Sequence, residues 1–156
     1  MQRETSSALL RGAGAGLLAT VPQTLVGELE QRLFLPPGED ADIAPRVVER
    51  IAGRVGVRLP TPVKWVLGTA YHLGYGCAWG AAYALFRERR PVPPLLGGFL
   101  LGCAIYAIAF QRWGPGVLLG AERPPGVRSR RMTLVASSVS LSFGLATALL
   151  YERLRR

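Results

Sequence analysis

The sequence predicts an all-α integral membrane four-helix bundle, with an additional amphipathic interfacial helix between spans one and two. Three observations carry that expectation. Hydrophobic residues make up 49% of the 156-residue chain and are gathered into long uncharged runs. The 19 basic residues crowd between those runs, which is the pattern of a membrane protein rather than a globular one. One polar stretch repeats apolar and arginine side chains every four positions. A chain of this length makes about one domain, so residues 1–156 are read as a single transmembrane helical unit.

The first span is placed at residues 8–34, with a weakly polar centre of Thr20, Pro22, Gln23 and Thr24 that is expected to face protein. Pro22 frees the carbonyl of Leu18, and a kink is expected there. Arg3 and Arg11, followed by an apolar run holding Ala13, Gly14 and Ala15, have the outline of a secretory signal peptide. The run continues without a clear cleavage site, however, and helix formers carry on through residues 30–34, so a retained span is expected.

A polar segment follows, opened by Pro36-Pro37-Gly38 and the acidic cluster Glu39, Asp40 and Asp42. In it Ile43, Val47, Ile51 and Val55 recur every four residues, and Arg46, Arg50, Arg54 and Arg58 repeat with the same period on a neighbouring stripe. With Asp42 as cap, Pro45 in the first turn and Gly56 at the end, an amphipathic helix is expected at 43–56. Its apolar stripe should lie in the acyl boundary and its four arginines among anionic lipid headgroups. The alternative is a helix packed back on the mouth of the bundle.

The second span, 63–86, starts beside Trp65 and ends at a short turn holding Arg87, Arg89, Arg90, Pro91, Pro93 and Pro94. A turn this brief predicts that spans two and three, the latter at 95–110, are antiparallel neighbours in contact. Gln111, Arg112 and Trp113 close the third span as a polar-aromatic boundary. A glycine- and proline-rich loop leads past a small apolar island at 117–119, and past Arg128, Arg130 and Arg131, to the charge-free fourth span at 132–151. Four spans put both termini on one side with eight basic residues (Arg3, Arg11, Arg87, Arg89, Arg90, Arg153, Arg155 and Arg156) against the other eleven. That asymmetry is too small to set an orientation.

Small residues are patterned within the spans. Gly76 and Gly80 form a GxxxG pair, Ala70, Gly74, Ala78 and Ala82 form a second ladder, and Gly98 and Gly102 in span three offer a matching groove. In span four, Thr133, Ser137, Ser140, Gly144 and Thr147 make a polar seam expected to hydrogen-bond across to a partner helix.

His72, the one histidine, lies about 13 Å past Val63 at about 1.5 Å per residue, near mid-bilayer. An ionisable group at that depth is a functional candidate. It could ligate a haem or chlorin, or pass a proton with Tyr71, Tyr75 or Gln23 beside it. The other reading is a neutral imidazole donating to a carbonyl or hydroxyl of span one or four. Cys77 and Cys103 fall inside spans without metal-ligand spacing and read as packing residues. Glu28 and Arg32, four apart at the end of span one, can pair. No serine-histidine-acid set, metal cluster or phosphate-cradling loop can be assembled, so no enzyme and no cofactor beyond the His72 alternative is expected. The net charge of +9 is spread around the apolar runs rather than along one stripe, which favours lipid headgroups over nucleic acid. Lys64 is the one lysine, a composition that fits a GC-rich bacterium.

The segment Ala19-Thr20-Val21-Pro22-Gln23-Thr24, the Leu35-Pro36-Pro37 turn, the basic stretch through Val48-Glu49-Arg50, then His72-Leu73-Gly74-Tyr75-Gly76 with Trp79-Gly80 and Tyr83, follow one another in an order that resembles the YagU-like family of small four-span bacterial inner-membrane proteins of unknown function. The resemblance covers most of the chain. It implies a multi-pass location in the bacterial inner (cytoplasmic) membrane, and no activity, cofactor or catalytic residue. The chain departs from that pattern at Gln23, where the family commonly carries an apolar residue such as methionine. The functional expectation is therefore a non-enzymatic accessory or structural subunit that packs against other membrane proteins or itself. Two alternatives stand beside it: a small oligomeric transporter or channel using Thr20, Gln23, Thr24, His72 and the span-four serines, and a haem- or chlorin-binding subunit using His72.

Overall fold

The computed structural model describes residues 2–36, 43–124 and 127–156. Among them the chain forms six helices and no strand: α1 (Gln2–Phe34), α2 (Ile43–Arg54), α3 (Thr61–Arg89), α4 (Pro94–Phe110), α5 (Pro115–Leu118) and α6 (Arg130–Arg155). The acidic cluster Glu39, Asp40 and Asp42, including the expected cap of α2, lies outside the described residues.

Local chemistry explains the helix ends. α3 and α4 both open with proline in the first turn, where the missing N–H costs nothing. α6 is capped by Ser129, whose hydroxyl accepts from the Met132 amide at 3.2 Å. α2 ends in a Schellman motif: Gly56 has φ +76°, Val57 donates to the Ala52 carbonyl at 2.9 Å, and Gly56 donates to Gly53 at 3.2 Å. Nothing lies within 4 Å of a Cβ placed on Gly56, so Gly56→Ala is resisted by backbone conformation alone. It is expected to cost about 1 kcal/mol. Gly53→Ala, equally open but helical, should stabilise by up to about 1 kcal/mol. Thermal melts of the two variants in one detergent check the opposite signs.

Two stretches are long and apolar enough to cross a membrane, Pro94–Leu118 with 25 residues and Arg130–Arg155 with 26. α1 and α3 have the length, at 33 and 29 residues, but not the mean hydropathy, so two of the four expected spans meet both criteria. The physical reason is composition. No charged residue falls between Arg11 and Glu28, or between Lys64 and Arg87, yet glycine, threonine, tyrosine, tryptophan and histidine replace leucine there. α1 continues through Pro22 as one helix, and Thr20 donates to the Leu17 carbonyl at 2.7 Å, one residue before the carbonyl that the proline frees.

α1 and α6 form the central antiparallel pair; α3 packs on the outer side of α1 and α4 on that of α6. The expected contact between the second and third spans is a minor one, centred where Tyr83 approaches Gly97. The short turn makes these helices sequence neighbours, but their glycine faces are used on other partners. At the end holding both termini, Tyr83 and Tyr151 meet edge-to-face at 5.7 Å within a core shared with Ala84, Phe143 and Ala148. There Arg87 donates to Glu152 at 2.8 Å, Tyr151 donates to Glu88 at 3.0 Å, and Arg155 lies 3.3 Å from Glu88, tying α3 to α6.

Candidate functional site

Two glycine crossings set the geometry of the bundle. On α1, Gly12 and Gly16 face Gly80 and Gly76 of α3: a Cβ on Gly80 would fall 2.7 Å from the Gly16 nitrogen, and one on Gly12 would fall 2.5 Å from the Ala84 Cβ. On α4, Gly98 and Gly102 face α6, with Cβ positions 2.8 Å from the Gly144 carbonyl and 2.9 Å from the Ser140 carbonyl. Gly76, Gly80, Gly98, Gly102 and Gly144 thus sit where backbones touch. Gly76 and Gly80, however, do not meet Gly98 and Gly102; each pair has its own partner helix. Gly74 faces outward with nothing within 4 Å.

Beyond the first crossing, α1 and α3 keep one antiparallel register. Gly12 lies against Ala84, Gly16 against Gly80 and Thr20 against Gly76, so the next step of four brings Thr24 level with His72. Here the side chains are no longer glycine, and the helices enclose a cavity of about 610 Å³. That volume is in the range of small-molecule sites. α1 lines it with Thr20, Gln23, Thr24 and Glu28, and α3 with Trp65, Tyr71, His72 and Tyr75. Ile105 and Phe110 of α4, with Val135, Ala136, Val139 and Ser140 of α6, complete the walls. The polar line expected from the sequence, Thr20, Gln23, Thr24, His72 and the α6 serine Ser140, is brought together by the fold.

Three hydroxyls of the polar seam on α6 are spent on their own helix or its cap. Thr133 donates to Ser129, Ser137 to Thr133 and Ser140 to Ala136, at 3.1, 2.8 and 2.8 Å. The expected hydrogen bonds across the seam are therefore not what these residues make, because a carbonyl one turn back is within reach of each, while Thr147 Oγ1 is buried with no partner among the described residues. One serine does cross, Ser138, which donates to Glu30 of α1 at 2.5 Å. His72 differs: its Nε2 is buried without a hydrogen-bond partner among the described residues, so the carbonyl or hydroxyl expected to receive it is not found at that atom.

The end of the chamber is closed by α2, α5 and a buried ion cluster that the sequence reading missed. Glu122 and Arg128 have side chains only 4% and 2% exposed. Glu122 lies 3.3 Å from Arg128 and 3.4 Å from Arg46. It also accepts from the Arg123 amide at 2.9 Å, while Arg128 donates to the Arg123 carbonyl and lies over the Phe110 ring at 4.9 Å. Arg46, assigned from sequence to lipid headgroups, is thus an internal ion-pair partner, and Arg54 donates to the Leu118 carbonyl at 3.0 Å. Arg50 and Arg58 are exposed. Val47 and Pro45 are buried, Pro45 against Gly68 of α3, so α2 packs on the bundle through its first turns and leaves Ile51 and Val55 exposed. The available clue was Glu122 itself, the lone acid between Arg112 and Arg131.

Glu28 and Arg32 pair on the surface at 3.6 Å. Cys77 and Cys103 are free thiols. No group of three metal-ligating side chains occurs among the described residues. Comparison of the chain with protein-family models, curated proteins and solved structures finds no match.

Proposed function

We propose that the chain is a multi-pass protein of the bacterial inner membrane in which all four long helices span the bilayer. In this reading it acts without catalysis, as an accessory or structural subunit that packs against other membrane proteins or a second copy of itself. The observation that carries the reading is the distribution of side-chain size. Leu10, Leu18, Val21, Leu25, Leu29 and Leu33 are exposed along α1, and Leu95, Phe99 and Leu100 along α4, while the helix contacts are made of glycine, alanine and serine. A soluble monomer rarely exposes an apolar patch beyond a few hundred Å². In lipid the same surface is solvated, and close small-residue packing is how helices associate when the solvent is as apolar as leucine. The second ladder, Ala70, Gly74, Ala78 and Ala82, is exposed on α3 and offers a further helix a close approach. The resemblance to the YagU-like family supports the same location.

Labelling of single cysteines, in a Cys77→Ser, Cys103→Ser background, tests both parts. Thr5→Cys and Arg155→Cys should react from one side of the membrane and Arg50→Cys from the other. Ends that label from opposite faces would overturn the four-span reading. In native membranes a short bifunctional maleimide should capture a neighbour at Ala78→Cys; a strict monomer without adduct would overturn the packing role.

A further inference from the structure

We propose that the chamber binds an uncharged amphiphile taken laterally from the bilayer, its hydrogen-bonding head held against His72 and Gln23 and its hydrocarbon tail leaving past Val21, Leu25 and Leu73. The proposal rests on the membrane reading above for its source of ligand, and on the chamber itself for everything else. The first observation is the unmet hydrogen bond. Among the described residues His72 Nε2 is buried with no partner and no hydrogen bond is made by the Gln23 amide, although both line the same space. Buried polar groups in native proteins are nearly always satisfied, and a ligand head is what remains to satisfy the His72 nitrogen, with the accessible Gln23 amide beside it as a second contact.

The second observation concerns charge. Of the two carboxylates on the wall, Glu122 is matched by Arg46 and Arg128, and Glu28 by Arg32. What faces the interior is therefore neutral amide and imidazole amid aromatic and aliphatic walls, which suits a carbonyl- or hydroxyl-bearing head and penalises a charged one. The third is access. Val21, Leu25 and Leu73 line the chamber and are also 59%, 66% and 37% exposed, so the opening lies on an apolar flank at the depth of His72. The far end, by contrast, is covered by α2 and by the residues around Glu122.

The test uses the full chain in lipid nanodiscs, with Trp79→Phe and Trp113→Phe leaving the chamber residue Trp65 as the lone tryptophan. Titration with decylubiquinone, an uncharged carbonyl-bearing ring on a decyl tail, should quench Trp65 saturably. Dodecanol should relieve the quenching, and dodecyltrimethylammonium at equal concentration should not. Ala136→Phe, which projects a ring into the chamber, should weaken saturation strongly, and His72→Leu should weaken apparent affinity about tenfold. Quenching that rises linearly with quinone, or saturation indifferent to both variants, overturns the proposal. Should Ala136→Phe fail to fold, the competition on otherwise unaltered chain decides: equal displacement by charged and uncharged heads overturns it. Protein purified from its own membranes should show no visible absorption; a tetrapyrrole band would assign the chamber to a pigment on His72 instead. Saturable quenching together with termini labelled from opposite faces would sink the four-span reading and leave the binding site standing.

Discussion

Gly80→Val should destroy the packing of α3 on α1. A Cβ there falls within 2.8 Å of the Gly16 Cα and within 2.7 Å of its nitrogen, and both contacts are to backbone that no rotamer change can move. Overpacking of a well-filled interior costs about 1–3 kcal/mol, and a β-branched side chain wedged between two helix backbones belongs at or above the top of that range. Gly74→Val, six residues earlier on the same helix, meets nothing within 4 Å. It should change stability by less than about 0.5 kcal/mol beyond the ordinary helix-propensity difference. Reversible unfolding in mixed micelles, followed by circular dichroism, measures both. Comparable losses for the two variants would mean that the α1–α3 crossing is not the close contact described.

Glu122→Ala should be the most damaging single change outside the glycine crossings. It removes the carboxylate that faces Arg128, whose side chain is 2% exposed, and that also lies against Arg46, which is 33% exposed. Removing one partner of a buried ion pair typically costs about 3–5 kcal/mol because a charge is left uncompensated. Arg46 can still reach solvent, so the stranded charge is chiefly that of Arg128. The double variant Glu122→Leu, Arg128→Met should recover most of the loss, since apolar replacement of a buried pair is often neutral. A single variant as stable as the parent protein, or a double variant no better than the single, would contradict the cluster's role in holding α2 and α5 over the chamber.

The uncharged runs and the four-residue repeat after Ile43 place helices at 43–56, 63–86, 95–110 and 132–151, and helices form at 43–54, 61–89, 94–110 and 130–155. The polar set of Thr20, Gln23, Thr24 and His72 was legible too, because polar side chains in the middle of apolar runs must face protein. The packing role of Gly12 and Gly16 was not legible, although their spacing repeats that of Gly76 and Gly80, because nothing local separates them from the other small residues of that run. The roles of Arg46 and Glu122 were hidden for a different reason. Seventy-six positions separate them, and an arginine on an amphipathic helix has the same local pattern whether it meets a phosphate or a buried carboxylate.

The sequence by itself determined where helices begin and end, which of their faces are small, and which polar groups need company, because capping, periodicity and side-chain volume act within a few residues. Which small face meets which was decided only by the tertiary structure. A GxxxG face accepts any similar face, so nothing local distinguishes Gly12 and Gly16 from Gly98 and Gly102 as partners of Gly76 and Gly80. The chamber is a product of that choice: once α3 commits its glycines to α1, and α4 commits its own to α6, α3 and α4 have little left to pack together. The space between the four helices then gathers Gln23 and His72.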